Sequence, residues 1–158
     1  MTRPFIGLIS DTHGLVRLRA LEALSGAARI IHAGDIGPPE VLQAFRRLAP
    51  VVAVRGNMDF EGPSAELRRT EVVEHDGLQL YVLHDAGQLD LDPAAAGFAA
   101  VVSGHTHRPR IDRQGGVLHV NPGSAGPQRS SLPPSVMRLY LTDGKLTPEL
   151  VELEPEPG

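Results

Sequence analysis

The chain is punctuated by short apolar runs that stop at a polar residue, most of them beside a glycine. Phe5-Ile6-Gly7-Leu8-Ile9 stops at Ser10-Asp11, and Arg29 to Ala33 stops at Gly34-Asp35. Val51 to Val54 stops at Arg55-Gly56-Asn57, Leu78 to Leu83 at His84, and Ala99 to Val102 at Ser103-Gly104-His105. Val117 to Val120 stops at Asn121-Pro122-Gly123, and an alternating run from Val136 to Leu141 stops at Asp143-Gly144. Runs this short, rich in β-branched residues and bounded by turn formers, read as strands. Between the early ones, Leu15, Leu18, Leu21 and Leu24 recur at helical spacing. Val41, Leu42, Phe45 and Leu48 do the same after Pro38-Pro39, a plausible helix start. The first third therefore reads β-α-β-α-β, which favours parallel strands joined by crossover helices. The second half is richer in strands, with Asp76-Gly77 and Gly115-Gly116 as expected hairpin turns. Two sheets in an α/β sandwich fit both halves better than one doubly wound sheet.

With 158 residues, 41% of them hydrophobic and 22% charged, the chain suits one globular domain and not a disordered segment. Aromatics are only 4%, so the core must be built from Val, Leu, Ile and Ala. The expected domain spans residues 1–151, and the acidic, proline-rich tail from Glu152 to Gly158 is expected to fray. Lys plus Arg total 15 against 19 Asp plus Glu, a formal charge of −4. That balance argues against a protein whose main task is gripping nucleic acid and leaves nucleic acid as a substrate at most. The absence of cysteine excludes disulfides, thiolate metal sites and a cysteine nucleophile. Asp11 follows the first short apolar run without a signal-peptide pattern, and no run is long enough to span a bilayer, so a cytoplasmic location with no membrane partner is expected.

In open α/β folds, ligands bind beyond the carboxyl ends of strands. Here those ends carry Asp11 and His13, Asp35, Asn57, His84, and then His105 and His107. A single histidine after a strand is usually structural. A matched set at five strand ends reads instead as metal ligands, because buried carboxylates without a cation or a base are costly. Imidazole with carboxylate suits Mn, Fe, Ni, Co or Zn better than Ca. Two such ions, sharing a carboxylate and a water, activate that water for attack on phosphorus.

Asp11-Thr12-His13, Gly34-Asp35, Gly56-Asn57, His84 and Gly104-His105-Thr106-His107 resemble the ordered motifs of the calcineurin-like metallophosphoesterases. The short length, Gly56-Asn57-Met58-Asp59 and Asn121-Pro122-Gly123-Ser124 resemble more narrowly the small YfcE-like phosphodiesterases of bacteria and archaea. The resemblance implies a four-layer α-β-β-α sandwich of two mixed sheets flanked by helices. It implies two divalent metal ions, Mn first among them. One would be held by Asp11, His13, Asp35 and His107, the other by Asp35, Asn57, His84 and His105, with Asp35 shared. Asp35, Asn57 and His105 are the expected catalytic residues, and a small phosphate ester the expected substrate. Relatives of the fold often pair, so a homodimer is expected by analogy alone.

Two positions depart from the family pattern. Many members carry His after the Gly-Asn pair, where it serves as general acid, but this chain has Met58, which can donate no proton. Leaving groups of low pKa are therefore favoured. Asp85 follows His84 where glycine is common, and reads as a turn residue or as a partner of a ligand. Among weaker candidates, Asn57, Asn121 and Arg129 are the expected substrate contacts, although Asn121-Pro122-Gly123-Ser124 is also a turn by composition. Arg55, Arg108 and Arg110 read as anion contacts or solvated surface, and Asp59 as a ligand-orienting residue, a proton acceptor from substrate or a turn residue. His32, His75 and His119 read as structural. Two other accounts compete with an enzyme: a protein-interaction scaffold of the same fold, and a single structural metal.

Overall fold

A computed structural model describes residues 3–153. Its elements follow in the order β1 (Phe5–Ile9), α1 (Leu18–Leu24), β2 (Arg29–His32), α2 (Glu40–Arg46) and β3 (Val51–Ala53). Then come β4 (Thr70–His75), β5 (Leu78–Leu83), β6 (Ala100–Val102), β7 (Arg110–Gln114), β8 (Val117–Asn121), β9 (Ser135–Thr142) and β10 (Lys145–Glu152). They form two five-stranded mixed sheets, ordered β10-β9-β1-β2-β3 and β4-β5-β6-β8-β7. β1, β2 and β3 run parallel in the first sheet, and β5, β6 and β8 in the second.

Alternation along each strand decides which layer a side chain enters. Ile6, Leu8, Ile31, Met137 and Leu139 of the first sheet meet Leu80, Val82, Val102, Leu118 and Val120 of the second in one buried cluster. Phe5, Ile9 and Ile30 point the other way and pack with Ala20, Leu24, Val41 and Phe45 of the two helices. The outer face of the second sheet, Tyr81, Leu83, Val101 and Val117, is covered by Leu89, Leu91 and Phe98. The four-layer arrangement is present, but among the described residues its fourth layer holds only a 3₁₀ turn at Ala86–Gln88 and no α-helix.

Three two-residue hairpins, at Asp76-Gly77, Gly115-Gly116 and Asp143-Gly144, have positive φ at both positions. That backbone matches the twist of antiparallel strands and explains the Asp and Gly residues found there. The leucine stripe expected on α1 needs correction. Leu15 and Leu18 are 36% and 53% exposed, and the buried face is Ala20, Ala23 and Leu24. The small alanines let the helix approach the sheet. On α2 the expected Val41, Leu42 and Phe45 are buried. Edge strands β4, β7 and β10 had no clear signal in the sequence, because charged residues and Pro148 interrupt their alternation, as is common where an edge faces solvent. At the C-terminal end, Glu152 closes β10 and Leu153 is buried, its N–H donating to the Pro134 carbonyl at 2.8 Å. The fold thus continues past the expected boundary at 151, and the rest of the proposed tail lies outside the described residues. No helix among the described residues is long and apolar enough to cross a membrane.

Candidate metal centre

Five strands, β1, β2 and β3 of the first sheet and β5 and β6 of the second, end at one place, and the backbone turns sharply there. Asp11, His13, Asp35, His105 and His107 have φ of 56°, 45°, 58°, 73° and 63°. This left-handed region costs an L-residue roughly 1–2 kcal/mol, and such strain gathers at functional sites. Glycines make the convergence possible. A Cβ on Gly104 would collide with Ser10 Oγ and Asp11 Oδ2, and one on Gly56 with the backbone and carboxylate of Asp35.

The side chains meet in two overlapping groups. Asp11, His13 and His107 place donor atoms within 4.8 Å of one another, and so do Asp11, Asp35 and His84. Asp11 Oδ1 lies 3.3 Å from His107 Nε2 and 3.9 Å from the Nε2 atoms of both His13 and His84. Asp35 Oδ2 lies 3.8 Å from His13 Nε2 and 3.2 Å from His84 Nε2, between the two expected ligand sets. Asn57 Oδ1 reaches His84 Nε2 at 2.9 Å and His105 Nδ1 at 3.1 Å. All seven expected ligands are therefore brought to one cluster. Asp11 is more central than the sequence implied, since its Oδ1 faces histidines of both sets.

Two atoms test whether a cation fits. Asp11 Oδ1 and His13 Nε2 are buried and have no hydrogen-bond partner. The other oxygen of Asp11 is satisfied, accepting from Ser10 Oγ at 2.6 Å and from the His105 N–H at 3.0 Å. A fully buried carboxylate oxygen facing only imidazole nitrogens is expensive unless a positive charge sits among them. The tautomer of His84 agrees with that role. Its Nδ1 lies 2.7 Å from the Ala33 carbonyl, which can only accept, so Nδ1 carries the proton and Nε2 points into the cluster. The donor set of carboxylate oxygens, imidazole nitrogens and an amide oxygen suits a divalent transition-metal ion.

Electrostatics follow the same geometry. Burial pushes His84 down, but the hydrogen bond to Asp35, the charge of Asp11 and the Ala33 carbonyl outweigh it, so its pKa is raised. A proton there compensates the same carboxylates that a cation would. Burial raises Asp35, yet the hydrogen bonds from His84 and the Met58 N–H leave its carboxyl below the usual range. His13 is lowered, first by burial and further by the charges of Arg129 and His107, against the pull of Asp35 and Asp11.

The supporting residues were singled out in the sequence, but their partners were not. Asp59, 3% exposed, accepts four backbone N–H groups, from Asp35, Ile36, Gly37 and Gly56. Its carboxylate thus ties the loop after β2 to the loop after β3, and does not face a substrate. His32 is structural, as expected. Its Nδ1 accepts from the Gly34 N–H at 3.1 Å, and its Nε2 lies 3.0 Å from Thr12 Oγ1, which itself donates to the Ile36 carbonyl. Burial drives His32 down to about 3 and keeps it neutral. Asp85 plays both roles considered for it. Its Oδ1 accepts from the Gly87 N–H at 2.9 Å, and its Oδ2 faces His105 Nε2 at 3.9 Å.

Asn121 requires correction as a substrate contact. It is 3% exposed, its Nδ2 donates to the Gly104 carbonyl and to Thr106 Oγ1, and its Oδ1 accepts from the Gly123 N–H. The amide is committed to holding the His105–His107 loop. Arg129 is exposed and shares a groove of about 300 Å³ with His105, His107 and Arg108. The Met58 side chain is 52% exposed, while its N–H donates to Asp35 Oδ1 at 2.8 Å.

Fold and cluster together define an α/β metallophosphoesterase. The chain belongs to the calcineurin-like phosphoesterase superfamily, whose domain description matches residues 5–144. It is 37% identical to a probable metallophosphoesterase of Methanocaldococcus jannaschii, over 94% of this chain and 81% of that one. It is 30% identical to the phosphodiesterase YfcE of Escherichia coli, over 80% of this chain and 82% of that one. Among solved structures, an archaeal phosphodiesterase superposes with a TM-score of 0.77 at 24% identity, covering 93% of this chain and 99% of that chain.

Proposed function

We propose that this chain hydrolyses a phosphodiester using two divalent cations, Mn first among them, held in the cluster described above. The observation that carries the reading is the buried Asp11 Oδ1, ringed by the Nε2 atoms of His13, His84 and His107 with no hydrogen-bond donor. Asp11, His13, Asp35 and His107 would hold one ion, and Asp35, Asn57, His84 and His105 the other. When bound, such a pair makes water nucleophilic near neutral pH and offsets the negative charge on the phosphoryl oxygens. The protein's own contribution is placement. Asp35 is fixed by the Met58 N–H on one oxygen and by the Asp59 carboxylate through its own backbone. Asn57 and His105 form the wall that a phosphoryl oxygen meets, and Arg129 stands ready beside His107 for an anionic oxygen.

A diester is favoured over a monoester because open space flanks the cluster on two sides. His105 borders both a cavity of about 520 Å³ and the groove of about 300 Å³ beside Arg129, so each arm of a diester has somewhere to go. With the Met58 side chain in place of a proton donor, turnover should fall as the leaving-group pKa rises. The unpartnered Asp11 and His13 atoms count against the scaffold alternative, which gives no reason to keep them. Purified protein loaded with Mn²⁺ should cleave bis(p-nitrophenyl) phosphate faster than p-nitrophenyl phosphate. No turnover above a metal-only blank, with bound metal verified, refutes the reading.

A further inference from the structure

We propose that the cavity beside Asn57, His84 and His105 seats one arm of the diester, and that this arm is a sugar or nucleoside carrying a second anionic group bound by Arg55 and Arg69. The inference rests on the phosphoesterase reading and adds the substrate class.

At about 520 Å³ the cavity is far larger than a phosphoryl group needs and falls in the size range of small-molecule sites. Asn57, His84 and His105 of the cluster line it, and so do Arg55 and Arg69. A ligand held at the cluster therefore extends one arm toward two guanidinium groups.

Both arginines lack a carboxylate partner among the described residues. Three arginines elsewhere do pair, Arg19 with Glu22, Arg110 with Asp112 and Arg138 with Glu149, whereas Arg68, Arg108 and Arg129 have no carboxylate partner among the described residues either, so the shared cavity is what sets Arg55 and Arg69 apart. Arg55 is fixed in place, because its Nε donates to the Asp59 carbonyl at 3.1 Å, which leaves the Nη donors for another acceptor. Asp59 is itself pinned by four N–H groups, so this tether is rigid. Two guanidinium groups on one cavity, neither in a salt bridge among the described residues, mark a place for an anion brought by a ligand.

The remaining lining explains why the anion comes on a sugar or nucleoside and is not a free ion. Tyr81 and Leu83, otherwise covered by Leu89, Leu91 and Phe98, reach the cavity with their remaining 9% and 5% exposure and give it a small apolar patch for a ring. Two acids also line the cavity. Asp85 is engaged with the Gly87 N–H and His105, which leaves Asp90 as an acceptor for a ligand hydroxyl.

The test compares thymidine 5′-(p-nitrophenyl phosphate) with the same ester bearing a 3′-phosphate, on the full chain in excess Mn²⁺, with bis(p-nitrophenyl) phosphate as reference. The 3′-phosphate should raise kcat/KM about ten- to a hundredfold, mainly through KM, as charge-assisted hydrogen bonds of this kind allow. Arg69→Gln, at an exposed side chain, and Arg55→Gln should each remove most of that gain. Equal or lower kcat/KM for the 3′-phosphorylated ester overturns the inference, as does a gain that survives both substitutions. If the reference ester is cleaved and no gain is seen, the cavity assignment alone fails. If none of the three esters is cleaved above the metal blank, the phosphoesterase reading fails and this inference falls with it.

Discussion

Replacing Asp59 by asparagine leaves the side-chain shape intact and removes half of what the carboxylate does. Oδ1 accepts from the N–H groups of Ile36 and Gly37, and Oδ2 from those of Asp35 and Gly56, the closest at 2.9 Å. An amide keeps one acceptor oxygen and turns an NH₂ group toward the other two donors. Two buried N–H groups then lose their partner, at about 1–3 kcal/mol each, or about 2–6 kcal/mol together. For a domain of this size, 1 kcal/mol moves Tm by roughly 2–4 °C, so a fall of about 5–20 °C is expected in a thermal melt followed by circular dichroism. Whichever way the amide turns, at least one stranded donor belongs to the Gly34–Gly37 loop that carries Asp35. Mn²⁺ affinity, measured by calorimetry at a temperature where the variant is folded, should therefore drop as well. Asp85→Asn, on a more exposed carboxylate that accepts only one N–H, provides the comparison and should shift Tm by no more than about 2 °C. If Asp59→Asn melts within 1 °C of the parent and binds Mn²⁺ equally well, the role assigned to this carboxylate is wrong.

Two further outcomes follow from the same geometry. His32 has a folded pKa of about 3 against an ordinary 6.5, so between those values the unfolded chain binds the extra proton. Its contribution to stability is whole above pH 6.5 and is lost as pH falls, by about 1.4 kcal/mol per pH unit, or roughly 2 kcal/mol at pH 5. Urea denaturation of the metal-free protein from pH 7 to pH 5 should show this slope, and His32→Gln should flatten it; equal slopes in the two proteins refute the assignment. Gly104→Ala inserts a methyl group against Ser10 Oγ and Asp11 Oδ2, so the Asp11 carboxylate must move. Metal content after dialysis should fall below half of the parent value while the circular dichroism spectrum stays folded; an unchanged metal content contradicts the close approach described.

Much of the site was legible because its residues sit where strand runs stop. Asp11, Asp35, Asn57, His84 and His105 each follow a short apolar run, and that position alone nominates them. The residues that hold them were legible only as candidates with several readings, Asp59 as a ligand-orienting or turn residue and Asn121 as a substrate contact or turn residue. Asp59 and Asn121 act through backbone hydrogen bonds to loops distant in sequence, and a turn-like composition hides such partners. The central strands could be read from their apolar runs, whereas β4, β7 and β10 carry the polar residues of sheet edges. On α1, periodicity suggested a leucine face, but close packing on the sheet selects Ala20 and Ala23 and leaves Leu18 outside. Positive φ at Asp11, His13, Asp35, His105 and His107 had no sequence signal beyond the neighbouring glycines.

Elemental analysis of Mn per chain, on the parent, Asp35→Ala and His107→Ala proteins dialysed side by side, bears most directly on the paired-ion centre. The expected values are near two ions for the parent, well under one for Asp35→Ala, and near one for His107→Ala. A parent holding a single ion that Asp35→Ala retains would contradict the shared-carboxylate centre and, with it, the proposed chemistry.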